Sequence, residues 1–204
     1  MSSHITYNSI QKDTLQELLN IAMGQAADSL ARALGEYVQI TIPSSDIIKA
    51  ENFSNAVGHI DRQDKMITAV RQAFFGDLQG DAVTVYGAQD GQQIADLMGY
   101  DELEEVEEHE LLLDVTNVLV GACMTGFGKQ IDASIGYSPP KIMANNISLR
   151  TLLSREKPSW EHSLVIKINF GLAERSFLCE LIFFMPESSI EKVRNAIELF
   201  LESL

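Results

Sequence analysis

Cysteine is nearly absent from this 204-residue chain. There are two, Cys123 and Cys179. One lies in a helical pattern and one in a strand pattern, which reads as two small buried hydrophobes in a reducing compartment rather than a disulfide framework. The four histidines, His4, His59, His109 and His162, are scattered, and no pair has the local spacing of a metal site. No phosphate-cradling glycine loop occurs either, so no metal or nucleotide of the chain's own is expected. Basic residues are scarce: 15 Lys and Arg stand against 29 Asp and Glu, a formal net charge of −14. Such a surface repels phosphate backbones, so nucleic acid is not the expected partner, and a protein with a basic patch suits it better. No apolar run approaches the ~20 residues of a membrane span. The opening MSSHITYNSIQKD lacks the basic start and apolar run of a leader. The expectation is a cytoplasmic protein that does not enter a membrane.

Hydrophobic residues make up 46% of the chain, and its length suffices to bury a real core. A long helix is predicted from about 11 to 34, with Gly35 as its stop. YVQITIP, Tyr37 to Pro43, alternates and is β-branched, so it reads as a strand. Residues 51–65 read as loop. Strands at 66–75 and 81–85 form a hairpin through GDLQG, and 90–98 is a short helix. Seven acids fall within the ten residues Asp101 to Glu110, which reads as the solvated start of a second long helix reaching Ile131. Residues 136–161 read as polar and irregular. Strands at 164–170 and 176–184 and a C-terminal helix from Glu187 complete the chain.

Two stretches stand out. DTLQELLNIAMGQAADSLARAL contains Glu17 and Asn20, and ELLLDVTNVLVGACMTGFGKQI contains Asp114 and Asn117, 97 positions on. At 100° per residue, Glu17, Asn20 and Gly24 fall within about 40° of Asp13 on one stripe of the first helix. Leu15, Leu19, Ala22, Ala26 and Leu30 centre on the opposite side. Glu110, Asp114, Asn117 and Gly121 repeat the stripe, with Leu112, Thr116, Leu119, Cys123 and Phe127 behind it. The apolar side packs on a sheet, so each acid–Asn–Gly stripe faces water. A single such stripe is the ordinary wet face of an amphipathic helix. However, Asn competes for helix backbone, and Gly costs about 1 kcal/mol against Ala. Both poor choices recur at one phase, which points to a docking surface. Asn cannot serve as a useful base, but it can hold a water, while the acids can bind a partner's cation. No activated nucleophile accompanies them. The chemistry that fits is a helper that docks a helix and orients one water for in-line attack on a partner's phosphoryl group.

The same shift pairs Asp13 with Glu110 and Pro43 with Pro140, and the element order repeats. We read residues 1–204 as one α+β domain of two repeats, about 10–99 and 107–204. It has an antiparallel sheet with the two long amphipathic helices packed on it. Each half carries its own site, so a monomer is expected.

These residues resemble the CheC family of chemotaxis phosphatases, which includes CheX and the CheC-like part of FliY. The family signature is an acid or serine, three residues, Glu, two residues, Asn, twenty-two residues, Pro. Asp13, Glu17, Asn20 and Pro43 fit it fully. Glu110, Asp114, Asn117 and Pro140 fit it with Asp in place of Glu. The resemblance implies hydrolysis of the phospho-aspartate of a CheY-type receiver, with Asn20 and Asn117 orienting the water. Glu17 and Asp114 would pair with the receiver's lysine, and Mg²⁺ would belong to the receiver. It also implies CheD as a further partner. The alternative is a non-enzymatic module like the related flagellar switch protein FliM. Asp114 reaches one methylene less than Glu17, so the first site is expected to be the stronger.

Overall fold

The computed structural model describes residues 6–57, 65–99, 105–155, 160–172 and 178–202. The first long helix, α1, spans Ser9–Leu34. It begins two residues before the expected start because Asn8 and Gln11 form a capping box. Asn8 Oδ1 accepts from the Gln11 amide at 2.9 Å, and Gln11 Oε1 accepts from the Asn8 amide at 3.0 Å. It ends as expected at Gly35, whose φ of 68° closes the last turn. The second, α4, spans Glu105–Gln130. Residues 101–104 of the acidic run lie outside the described segments.

Seven strands form one antiparallel sheet: β1 Val38–Lys49, β2 Met66–Gly76, β3 Gly80–Gly87, β4 Ile135–Tyr137, β5 Lys141–Ser148, β6 His162–Leu172 and β7 Leu178–Pro186. Their order is β1-β6-β7-β3-β2-β4, with β5 also on β2. Neither half of the chain closes its own sheet. β1 pairs with β6, while β4 and β5 pair with β2. The β3–β7 pair joins the two hairpins at the centre. Advancing the bounds of α1 by 97 residues lands within one residue of those of α4. A shift of 96 carries β2 onto β6, and one of 97 carries the short helix α3, Asp90–Met98, onto the start of α6, Glu187–Glu202.

Two stretches expected to be irregular are ordered. Residues 136–161 contain most of β4, all of β5 and the helix α5, Leu149–Arg155. Strands β4 and β5 lie at the sheet edge, where few positions are fully buried, so the apolar alternation that marks a strand is weak. Two bulge-like shifts against β2 and a positive φ at Asn146 blur it further. Residues 51–65 contain the end of a single 3₁₀ turn at 50–52 and the helix α2, Phe53–Val57, with 58–64 outside the described residues.

Alternation splits the sheet's side chains between two cores. On one face Val70, Phe74, Ala82, Tyr86, Leu164, Ile166, Phe170 and Leu181 meet α1, α3, α4 and α6. On the other, Ile67, Ala69, Val85, Val165 and Ile182 meet α2 and α5, where Phe53, Trp160 and Phe184 cluster. Each fully buried Leu or Ile contributes about 1.5–3 kcal/mol against exposure. The long helices also pack on each other. A Cβ at Gly126 would stand 2.6 Å from the carbonyl oxygen of Ala22, so this glycine sets their closest approach. By length and composition, residues Glu107–Gln130 would suffice to cross a membrane, which the sequence reading did not anticipate. Yet 56% of the apolar window is buried inside the fold, and the helix exposes Glu110, Asp114 and Asn117, as a core helix does.

The contact at Gly126 gives a stability test. Gly126→Val must push α1 away at a backbone oxygen that cannot swing aside. Urea unfolding should show a loss of about 1–3 kcal/mol from overpacking.

Candidate functional site

The rotation of both long helices is set by what they bury. On α1, Leu15, Leu19, Ala22, Ala26 and Leu30 are each at most 1% exposed, while Asp13, Glu17, Asn20 and Gly24 are exposed. On α4, Leu112, Thr116, Leu119, Cys123 and Phe127 are buried; Glu110, Asp114 and Asn117 are exposed, and Gly121 is half-buried. All eight stripe positions therefore lie on the outer side of their helices. Burial pushes the Cys123 thiol up to about 12, so it carries no thiolate near neutral pH and acts as packing. A Cβ built at Gly24 or Gly121 meets nothing within 4 Å. Neither glycine is required by the fold, unlike Gly126. Among the described residues no Lys, Arg or His pairs with Glu17 or Asp114, so both carboxylates are available to an incoming cation.

The two asparagines are held differently. Asn20 Oδ1 accepts from Gln16 Nε2, one turn back on the same helix, at 3.2 Å. Ser45 Oγ in turn donates to Gln16 Oε1 at a long 3.5 Å. Beside them an open groove of about 400 Å³ runs between α1 and the start of β1, walled by Asn20, Met23, Gly24, Tyr37, Ile40 and Ile42. Asn117 Oδ1 instead accepts from Gln72 Nε2 at 2.7 Å, and Gln72 comes from β2 beneath the helix. The same Nε2 donates to the Ser138 carbonyl at 2.9 Å. Next to Asn117, the buried Thr116 hydroxyl bonds to Tyr86 OH of β3 at 2.9 Å. Burial raises the Tyr86 pKa well above the usual phenol range, so it stays a neutral hydroxyl.

The motif prolines sit where the strand following each long helix breaks its ladder. Pro43 lies at the register shift between Thr41 and Ser44, and Pro140 lies between β4 and β5. Proline lacks the amide that an unbroken ladder would need there.

Gln72, Ser138, Tyr86 and Gln16 were not singled out from the sequence. Gln72 did carry a signal. It falls in the same alternation as Val70 and Phe74, a polar amide on a strand face that is otherwise core. The structure also gathers Glu161, His162 and Glu187, whose potential ligand atoms all lie within 4.8 Å of one another. Glu187 Oε1 there accepts from the His162 backbone amide at 2.9 Å and lies 3.4 Å from its Nδ1. This group is remote in sequence from both stripes, and the histidine spacing alone did not indicate it.

The open glycines can be tested without any partner. Gly24→Ala and Gly121→Ala should each raise stability in urea unfolding by up to about 1 kcal/mol, the helix propensity gain. A loss at either would mean that the glycine serves the fold.

The CheC-like family model matches residues 10–45, which contain the whole first motif from Asp13 to Pro43. The flagellar motor switch phosphatase FliY of Bacillus subtilis is 22% identical over 169 residues, 80% of this chain. This chain spans only 42% of that relative's length. Among solved structures, Thermotoga maritima FliY superposes with a TM-score of 0.70 at 21% identity, covering 95% of this chain and 98% of the other. The middle domain of FliM from H. pylori superposes with a TM-score of 0.59 at 11% identity, covering 93% and 99%. The fold is thus shared with Thermotoga maritima FliY and with the FliM middle domain. The first motif segment matches the CheC-like family model, and the fold is that of Thermotoga maritima FliY.

Proposed function

We propose that the chain is a phosphatase for the phospho-aspartate of a CheY-type receiver, with one site on each long helix. The observation that carries this reading is the matched exposure of Glu17–Asn20 and Asp114–Asn117, each followed one turn on by a glycine with open space at its Cβ, on helices whose opposite sides are buried. Glu17 or Asp114 pairs with the receiver's lysine. The open face at Gly24 or Gly121 lets the receiver's backbone come close. Asn20 or Asn117 then holds a water in line with the acyl-phosphate bond. The water oxygen bonds to phosphorus while the bond to the aspartate oxygen breaks. The aspartate leaves as a carboxylate, and the water's proton passes to phosphate and solvent. The Mg²⁺ that neutralises the phosphoryl oxygens belongs to the receiver, and this chain supplies position rather than a cofactor.

A second reading keeps the docking and drops the chemistry. The fold shared with the FliM middle domain favours it. In that case the stripes would bind a receiver, or a deamidase such as CheD, without hydrolysis.

Loss of receiver phosphate separates the two. Asn20→Ala combined with Asn117→Ala should slow stimulated phosphate release about a hundredfold, near 3 kcal/mol of barrier. Circular dichroism should stay native. The pure binding reading predicts no change in phosphate release. Single variants divide the activity between the sites: on reach alone, Asn20→Ala removes the larger share and Asp114→Glu raises the share of the second site.

A further inference from the structure

We infer that Gln72 is a positioning residue for the second site, fixing the orientation of the Asn117 carboxamide. The inference rests on the phosphatase reading for its consequence and on geometry for itself. Gln72 is 1% exposed and lies on the core-facing alternation of β2. Its Nε2 has two hydrogens and two acceptors, Asn117 Oδ1 at 2.7 Å and the Ser138 carbonyl at 2.9 Å. Ser138 cannot shift to release it. Its amide donates to the Ala73 carbonyl at 2.9 Å, and its hydroxyl accepts from the Ala73 amide at 3.1 Å. Flipping the Gln72 amide would set its oxygen against the Ser138 carbonyl oxygen. The Gln72 orientation is therefore dictated by the strand, and it dictates Asn117 in turn: Oδ1 faces inward and Nδ2 faces the solvent. The Gln72 Oε1 is buried with no hydrogen-bond partner among the described residues. A buried amide oxygen without a bond costs about 1–3 kcal/mol. A fold selected for stability alone would be better served by an apolar residue between Val70 and Phe74. Holding Asn117 is what the glutamine offers in return.

The first site has no counterpart. Strands β2 and β6 correspond at a shift of 96, which sets the buried, apolar Ile168 in the place of Gln72, and among the described residues Asn20 bonds within its own helix, to Gln16. An exposed amide pair of that kind is worth a few tenths of a kcal/mol and does not lock a side chain. The position equivalent to Gln16 in the second helix is Leu113, and those equivalent to the Tyr86–Thr116 pair beneath the first helix are Phe183 and Leu19. Short, buried or half-buried sheet-to-helix hydrogen bonds thus underlie the second stripe, whereas the first has only the long Ser45–Gln16 contact and the exposed Lys12–Asp46 pair among the described residues. At the second site a water can be held only through the Nδ2 donors, whereas Asn20 is free to present either end. The shorter Asp114 is thereby paired with the better-fixed asparagine.

Two measurements test this. In the Asn20→Ala background, which leaves the second site alone, Gln72→Leu should lower kcat for receiver dephosphorylation about tenfold with KM unchanged. Gln72→Asn, which keeps a buried amide but shortens it by one methylene, should do the same. In the Asn117→Ala background neither change should matter. Equal losses in both backgrounds would make Gln72 a general structural residue and overturn the inference. The second measurement needs no receiver. Side-chain amide relaxation of ¹⁵N-labelled protein should find Asn117 rigid and Asn20 mobile, and Gln72→Leu should make Asn117 as mobile as Asn20. Equal mobility in the unaltered chain overturns the inference whatever the activity. A rigid Asn117 in a protein that releases no receiver phosphate would sink the phosphatase reading and leave the positioning intact.

Discussion

Everything at the surface of this protein depends on the burial of one side of two helices. Leu15, Leu19, Ala22, Ala26 and Leu30 on α1, and Leu112, Leu119, Cys123 and Phe127 on α4, fill the same core between the helices and the sheet. Once those residues are inside, the helix period fixes the acid–Asn–Gly stripes outside. Neither helix can rotate to hide its stripe without exposing several leucines, each worth about 1.5–3 kcal/mol. The close approach at Gly126 and Ala22 limits sliding of one helix past the other as well. A rigid scaffold presenting a sparse polar stripe suits a protein whose partner brings the rest of the machinery.

The strand exchange ties the two sites to one body. Because β1 is completed by β6 and β5 by β2, each half is held by the other's hairpin. The sheet beneath the second stripe therefore comes from the first half: Gln72 and Tyr86 both lie before the second repeat begins. Divergence between the stripes can then arise in strands far from the helices in sequence. That is what Gln72 against Ile168, and Tyr86–Thr116 against Phe183–Leu19, amount to.

The helices, their phase and the two hairpins were legible because long apolar periods and turn residues are local signals. The stripe residues were legible because Asn and Gly are costly inside a helix and appear twice at one phase. The edge strands β4 and β5 were not, since they are only partly buried and bulged, and so show little alternation. The repeat itself could have flagged them, because YVQITIP lies 97 residues before that polar stretch. The exposed stripe positions do not share one role at the level of hydrogen bonds. Asn117 is exposed yet tied to a buried residue 45 positions away, and no helical wheel contains that partner. The cluster of Glu161, His162 and Glu187 was hidden for the same reason: Glu187 starts a helix that the sheet folds back onto β6.

The central claim is that the acid–Asn stripes of α1 and α4 meet the phosphorylation pocket of a receiver. Mapping the contact by NMR shift changes, on adding a receiver activated with beryllium fluoride, tests it most directly. The account predicts that the largest changes fall at Glu17, Asn20 and Gly24 and at Asp114, Asn117 and Gly121, and that they vanish with the unactivated receiver. Changes confined to the opposite face of the sheet, around α2, α5 and Phe53, would contradict it.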